Sequence, residues 1–193
     1  MANDLKLYQM FNGISELPMV DWERFQEDLK YKKYSKGEFF LKKGKMSTEI
    51  AFIIKGVFRL YSSNEKKELN YNFFAEGQFA VDYESYLRNE PSAFSIQALE
   101  DCEVYVFTKA HLLKQYNISH AWEKFGRIIS EQVFLKSRDR LKELMFMSAE
   151  ERYLKFVRNN KVLHNRLPLY HIASYLVVDP TSLSRIRKGK KQM

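Results

Sequence analysis

Cysteine is almost missing from the 193 residues: Cys102 stands alone. A single thiol excludes an intrachain disulfide and any metal or iron–sulfur site built from several cysteines of one chain. The four histidines, His111, His120, His164 and His171, are scattered without metal-ligand spacing, so no metal site is expected. No apolar run reaches the length of about 20 residues that a bilayer-spanning helix needs. The opening MANDLKLYQMF has no cationic segment followed by an apolar run. A secretory signal is therefore not expected, and the cytoplasm is the expected compartment. A nucleophile–base signature and a glycine-rich phosphate loop are both missing, and the acidic residues are dispersed, which argues against an enzyme.

What is present is aromatic and basic. Fifteen Phe and twelve Tyr can fill a substantial core, and an apolar share of 45% with 29% charged residues is ordinary for a globular protein. The net charge of +8 is unevenly placed. From Arg152 to Met193 there are ten Lys/Arg and one acidic residue, Asp179, whereas the other 151 residues carry 22 basic and 23 acidic side chains. The whole surplus lies on the last 42 residues. A solvated basic end is the plain reading; a surface for a polyanion is the sharper one.

That basic segment holds the stretch PLYHIASYLVVDPTSLSRIRKGKK, from Pro168 to Lys191. Its spacing predicts two short helices, the first from about Leu169 to Leu176 and the second opening at Asp179-Pro180. Asp179 suits an N-cap, and Pro180 the first helical position, where a missing N–H costs nothing. Ile172, Leu176, Leu183 and Ile186 fall on inward faces, with Ala173 small enough for a close crossing. This is the pattern of a helix-turn-helix, whose second helix enters the DNA major groove.

Upstream, residues 1 to 30 read as helical and amphipathic, with Leu17, Val20, Phe25 and Leu29 as apolar marks and Pro18 near a helix start. From Lys32 to Phe107 short runs rich in Phe, Tyr, Ile and Val alternate with turns, a succession of antiparallel strands. Gly37, Gly44, Gly56 and Gly77 sit at turns, and Asn64 to Lys67 at an exposed hairpin tip. His111 to about Met147 reads as one long helix. Its apolar residues spread over a wide arc, which fits either a dimer seam or packing within the chain. Residues 148–166 add another helix, SAEERYLKFVRNN, opened by a Ser148/Glu151 capping box, and a polar loop, HNR, that leads into the helix-turn-helix.

Taken together, YSKGEFFLKKG, AFIIKGVFRLY, IQALEDCEVYVF, the long helix and the PTSLSRIRK ending resemble the Crp/Fnr family of bacterial transcription regulators, from about Leu17 to Lys188. The resemblance implies an α+β chain in three parts. These are a cyclic-nucleotide-binding-like β-roll at 1–110, a dimerising helix at 111–147 with Trp122, Phe125, Ile129 and Val133 at its seam, and a helix-turn-helix domain at 148–193. It also implies a homodimer on a palindromic stretch of double-stranded DNA, with RNA polymerase as partner at the promoter. The rival reading is a β-roll that senses an effector and regulates a protein rather than DNA.

Nucleotide-binding members of the family pair an acid with the ribose and an Arg with the cyclic phosphate. The corresponding run here, GQFAVDYESYLRNEPSAFSIQ, offers Asp82 as the acid but Ser92 in place of the Arg. A hydroxyl cannot neutralise a buried phosphate, and Arg88 approaches from another backbone position. No cyclic nucleotide or other cofactor is therefore expected. Tyr83, Tyr86 and Phe94 furnish the same region, either as core or as a site for an unidentified apolar or aromatic effector.

The family's turn usually holds Gly where this chain has Val177, and the contacts that the family makes through its wing are expected here from the basic tail RKGKKQM. Arg185, near the start of the second helix, is the expected base reader, since Arg pairs bidentately with guanine. Thr181, Ser182 and Pro180 form the rest of the edge entering the groove. Tyr170, His171, Ser184, Arg187, Lys188, Lys190 and Lys191 are expected at phosphates, which position without specifying sequence.

Overall fold

A computed structural model describes residues 2–63 and 67–190. The chain opens with helices α1 (Ala2–Asn12) and α2 (Met19–Gln26), then runs through eight strands with one helix among them. These are β1 (Lys30–Tyr34), β2 (Phe39–Leu41), β3 (Glu49–Lys55), β4 (Phe58–Ser63), β5 (Glu68–Phe74), β6 (Phe79–Ala80), α3 (Tyr83–Arg88), β7 (Ser95–Ala98) and β8 (Cys102–Thr108). Six helices follow: α4 (Lys109–Ile118), α5 (His120–Phe146), α6 (Ala149–Asn159), α7 (Lys161–Arg166), α8 (Leu169–Leu176) and α9 (Pro180–Lys190). The strands pair antiparallel in two four-stranded sheets, ordered β1-β8-β3-β6 and β2-β7-β4-β5. This is the expected β-roll. The expected hairpin tip falls largely on residues outside those described.

Strands β3 and β8 explain the long apolar runs of the sequence. In β8, Cys102, Val104 and Val106 point between the sheets, while Phe107 points to the helices. In β3, Ala51 and Ile53 face the second sheet, and Ile50 and Phe52 face the helical side. A sheet covered on both faces needs apolar residues on both, so the usual alternation vanishes. Phe11 lies at the centre of the helical side, stacked on Phe125 with ring centroids 5.6 Å apart and in contact with Trp22. Gly56 turns between β3 and β4 at φ +100°, and a Cβ there would lie 2.8 Å from the Cys102 Cα. Only glycine fits that turn.

Three expectations about helices are corrected. In the N-terminal stretch α2 does begin just after Pro18 as read, but Val20 is exposed rather than inward. The single helix expected from His111 to Met147 is broken at Ser119, which is extended at φ −139° and whose hydroxyl donates to the Asp21 carboxylate. The break lets α4 pack on β8 and α2 while α5 sets off in a new direction, with Tyr116 of α4 lying against the bare Gly126 of α5. The helix expected over SAEERYLKFVRNN ends at Asn160 and its Ser148/Glu151 capping box is present as read, but the polar HNR stretch expected as a loop belongs to a further short helix, α7.

The C-terminal helices pack against the β-roll. Helix α8 lies along β5, the edge strand of its sheet. The Ser174 hydroxyl accepts the Asn70 N–H at 3.0 Å and donates to the Glu68 carbonyl at 2.8 Å, standing in for a further strand. Beside it His171 is buried, its Nδ1 3.2 Å from Asn70 Nδ2 and 3.4 Å from Arg59 Nη1. Arg59 is itself buried, held by Gln97 and Glu68 and lying over the Tyr61 ring. Arg166, at the end of α7, bonds both Glu76 oxygens at 2.8 Å and also reaches Glu100. That guanidinium holds the Glu76 carboxyl down at about 2. Phe73 of β5 and Phe156 of α6 complete the joint around Tyr175.

Burial, reinforced by the Arg59 charge, pulls His171 from 6.5 down to about 4. The fold therefore binds the neutral imidazole, while the unfolded chain takes up a proton near its ordinary value. Stability is complete above pH 6.5 and declines as pH falls toward 4, with a slope approaching about 1.4 kcal/mol per pH unit. His171→Gln keeps an acceptor for Arg59 and Asn70 but cannot titrate. Urea unfolding between pH 7 and pH 5 should show the native protein losing stability faster than this variant; parallel curves would remove His171 as the cause.

Candidate nucleic-acid interface

Helices α8 and α9 start and stop for local reasons. Pro168 and Pro180 stand at the two openings, and the Asp179 carboxylate accepts the Ser182 N–H at 3.0 Å, the N-cap expected from the sequence. Between the helices, Val177 N–H bonds the Ser174 carbonyl and Val178 N–H the Ala173 carbonyl. That pair of bonds is a Schellman ending, which calls for a left-handed residue at the position Val177 occupies. Val177 complies at φ 53°, ψ 52°, at a cost of roughly 1–2 kcal/mol for a residue with a Cβ. The turn keeps its shape and bears the strain.

Leu183 is fully buried, with Ile172, Ala173 and Leu176 behind it, and Ile186 packs at the margin. With that face inward, α9 turns Pro180, Thr181, Ser182, Arg185, Arg187 and Lys188 to solvent. Thr181 and Arg185 lie one turn apart on the outer side, flanked by half-buried Ser184. The Ser182 hydroxyl sits 3.3 Å from Asp179 Oδ2, which ties it to the cap. Lys190 ends α9, and Lys191 lies outside the described residues. Tyr170 is exposed at the start of α8, its ring 4.1 Å from that of His171. His171 is the correction: it points into the joint with β5 and has no route to a phosphate.

The long helix α5 has two halves with different neighbours. Trp122 and Phe125, expected at a dimer seam, are buried within the chain against Phe11, Trp22 and Phe25. Ile129 and Val133 are half-buried on the same side. Beyond them the apolar residues turn outward: Phe134 is 63% exposed, Met145 64% and Phe146 77%, and Leu135, Leu141 and Leu144 are exposed too. Phe134, Leu141 and Leu144, with Ser137, follow the alternating three- and four-residue spacing of a helical seam. The sequence alone placed Trp122, Phe125, Ile129, Val133, Leu135, Leu141 and Leu144 on one wide apolar arc; only the fold divides them.

The expected effector residues do not gather around one space. Asp82 and Ser92 are both buried and meet, the Ser92 hydroxyl donating to Asp82 Oδ2 at 2.5 Å and accepting the Phe94 N–H at 3.0 Å. Tyr86 belongs to the core and stacks on Tyr83, whose hydroxyl is 2.6 Å from Ser130 Oγ on α5. Phe94 rests on Tyr71. Arg88 is exposed and paired with Glu84 at 3.1 Å, so it does not join the group. A cation that could meet a phosphate is thus missing beside the Asp82–Ser92 pair among these residues.

Residues 31–119 match the sequence pattern of the cyclic nucleotide-binding domain. No curated protein is close enough in sequence to count as a match. Among solved structures, FixK2 from Bradyrhizobium japonicum superposes with a TM-score of 0.73 at 15% identity, over 85% of each chain. The c-di-GMP-responsive global regulator CLP of Xanthomonas campestris gives 0.71 at 14% identity, covering 91% of this chain and 92% of its own. A protein assigned to the Crp/Fnr family of transcriptional regulators from Eubacterium rectale gives 0.71 at 14%, over 91% of this chain and 84% of its own. Residues 31–119 are thus similar to the cyclic nucleotide-binding domain, and the chain as a whole has the fold of the Crp/Fnr regulators.

Proposed function

We propose that the protein is a homodimeric transcriptional regulator that reads a two-fold symmetric DNA site through α9 and recruits or blocks RNA polymerase there. The observation that carries this reading is the outer side of α9. Thr181 and Arg185 stand one turn apart in solvent, with Arg187 and Lys188 beside them, on the segment that holds the chain's entire positive surplus. A helix end of this kind offers a bidentate base reader with cations for the flanking phosphates. The exposed Phe134–Leu141–Leu144 face of α5 supports the dimer, because an apolar row of that length is left to water in the single chain.

Arg185→Ala should cost about 1–3 kcal/mol on the preferred duplex and relax preference at one base pair per half-site. Gel-shift titrations on single-substitution duplexes check this, and a uniform loss on every sequence would remove the base-reading role. Phe134→Glu together with Leu141→Glu should convert dimers to monomers in sedimentation while leaving the far-ultraviolet spectrum intact. A pair of charges in the seam has no partner there. A dimer that survives both changes would place the interface elsewhere.

The β-roll of this regulator does not take a cyclic nucleotide in the usual way. Where the family's phosphate-binding Arg is expected, Ser92 is already engaged with the buried Asp82 carboxylate. A phosphate brought there would meet a carboxylate and a hydroxyl instead of a guanidinium. Calorimetric titration with cyclic AMP and cyclic GMP should show no heat of binding; micromolar affinity for either would overturn this part of the reading.

A further inference from the structure

The ending of α8 is held by two arginines that belong to neither helix of the helix-turn-helix. The carbonyls of Tyr175 and Leu176 are the last of α8, where helix geometry leaves acceptors without partners. Arg152 of α6 donates through Nε to the Leu176 carbonyl at 3.1 Å and through Nη1 to the Met147 carbonyl at 2.6 Å, tying the end of α8 to the end of α5. Arg140 comes from α5 itself. Its Nη2 donates to the Tyr175 carbonyl, and its guanidinium lies 4.1 Å from the centre of the Tyr175 ring. Through Nη1 it also bonds Glu143 at 3.3 Å, and Glu143 takes Lys155 of α6 at 3.0 Å. The Arg140 and Glu143 side chains are only 15% and 18% exposed.

Two features make this more than an ordinary helix ending. First, the turn it braces is the strained one, with Val177 left-handed where glycine would rest easily. Second, Arg140 is the immediate neighbour of Leu141, so the residue that grips α8 rises from the stretch of α5 that carries the exposed apolar face. A planar guanidinium can bond Glu143 on its own helix and a carbonyl on another at the same time, which fixes a direction as well as a distance.

We propose that Arg140 is the positioning residue that sets the direction of α9 relative to the dimer helix, and thereby the spacing between half-sites that the dimer accepts. This rests on the DNA-reading dimer proposed above. In such a dimer the two recognition helices must lie about 34–36 Å apart. A change in the angle between α5 and α8 is carried to both helices, while each remains able to read its own half-site.

The test uses the full chain and duplexes that it selects from a randomised pool. The native protein should lose at least about tenfold in affinity when one base pair is added or removed between the half-sites. Arg140→Ala should bind the selected duplex more weakly and discriminate less than about twofold among the three spacings, with binding to an isolated half-site unchanged. Arg140→Lys keeps the stem and charge but not the fork, should lose the same discrimination, and decides the matter if the alanine variant does not fold. Dimeric variants that keep the native spacing preference would overturn the positioning role alone. So would an equal loss on the isolated half-site, which marks a merely structural contact. A native chain that selects no duplex would overturn the DNA reading, and this inference with it.

Discussion

The outward N–H and C=O groups of an edge strand have to be satisfied or shielded, and here β5 is closed by a helix. Ser174 takes one N–H and gives to one carbonyl of that strand, doing with a hydroxyl what a ninth strand would do with backbone. The rest of the C-terminal arrangement depends on this contact. Because α8 is fastened to β5, His171 is driven into the joint, Tyr175 meets Phe73, and α9 is left with one face against α8 and the other in water. The joint is largely polar and charged at its margins, with Arg59, Glu68, Arg166, Glu76 and Glu100 all taking part. Such a joint is fixed in geometry yet sensitive to protonation, unlike the aromatic packing around Phe11.

Helix α5 joins two environments. Its first half completes the core on the helical side of the roll, and its second half leaves that core with an apolar row uncovered. The break at Ser119 makes this possible, since a continuous helix from α4 would have carried α5 along β8 instead of away from it. The arginines at the far end then bind α5 and α6 to the turn of the helix-turn-helix. A continuous set of contacts therefore links the roll, the long helix and the outermost helix.

Much of this was readable from residue order where the cause is local. The capping box of Ser148 and Glu151, the Asp179 cap, Pro180 at a helix start, and glycines at turns of positive φ depend on neighbours within a few positions. The two helices of the C-terminal motif and their inward residues were legible for the same reason. Other features were not. His171 looks polar and sits beside exposed Tyr170, and nothing nearby in sequence says that Arg59 and Asn70, about a hundred positions away, enclose it. Trp122 and Phe125 carry the same apolar signal as Phe134 and Leu141. Which of them is covered depends on Phe11 and Trp22, brought in by helices at the other end of the chain. Arg88 stands near Asp82 and Ser92 in the sequence but leaves the α3 helix on the solvent side.

By itself the sequence determined the strand-rich middle of the chain, the two helices of the C-terminal motif with their caps and turns, and the charge surplus on the last helices. These follow from backbone preference and composition, which act over a few residues or over none. Tertiary structure alone decided which side of each apolar helix is covered, where His171 goes, and how the strained Val177 turn is braced. Those outcomes come from groups far apart in the chain competing for the same buried surface and the same unsatisfied backbone atoms, and only closure of the fold settles that competition.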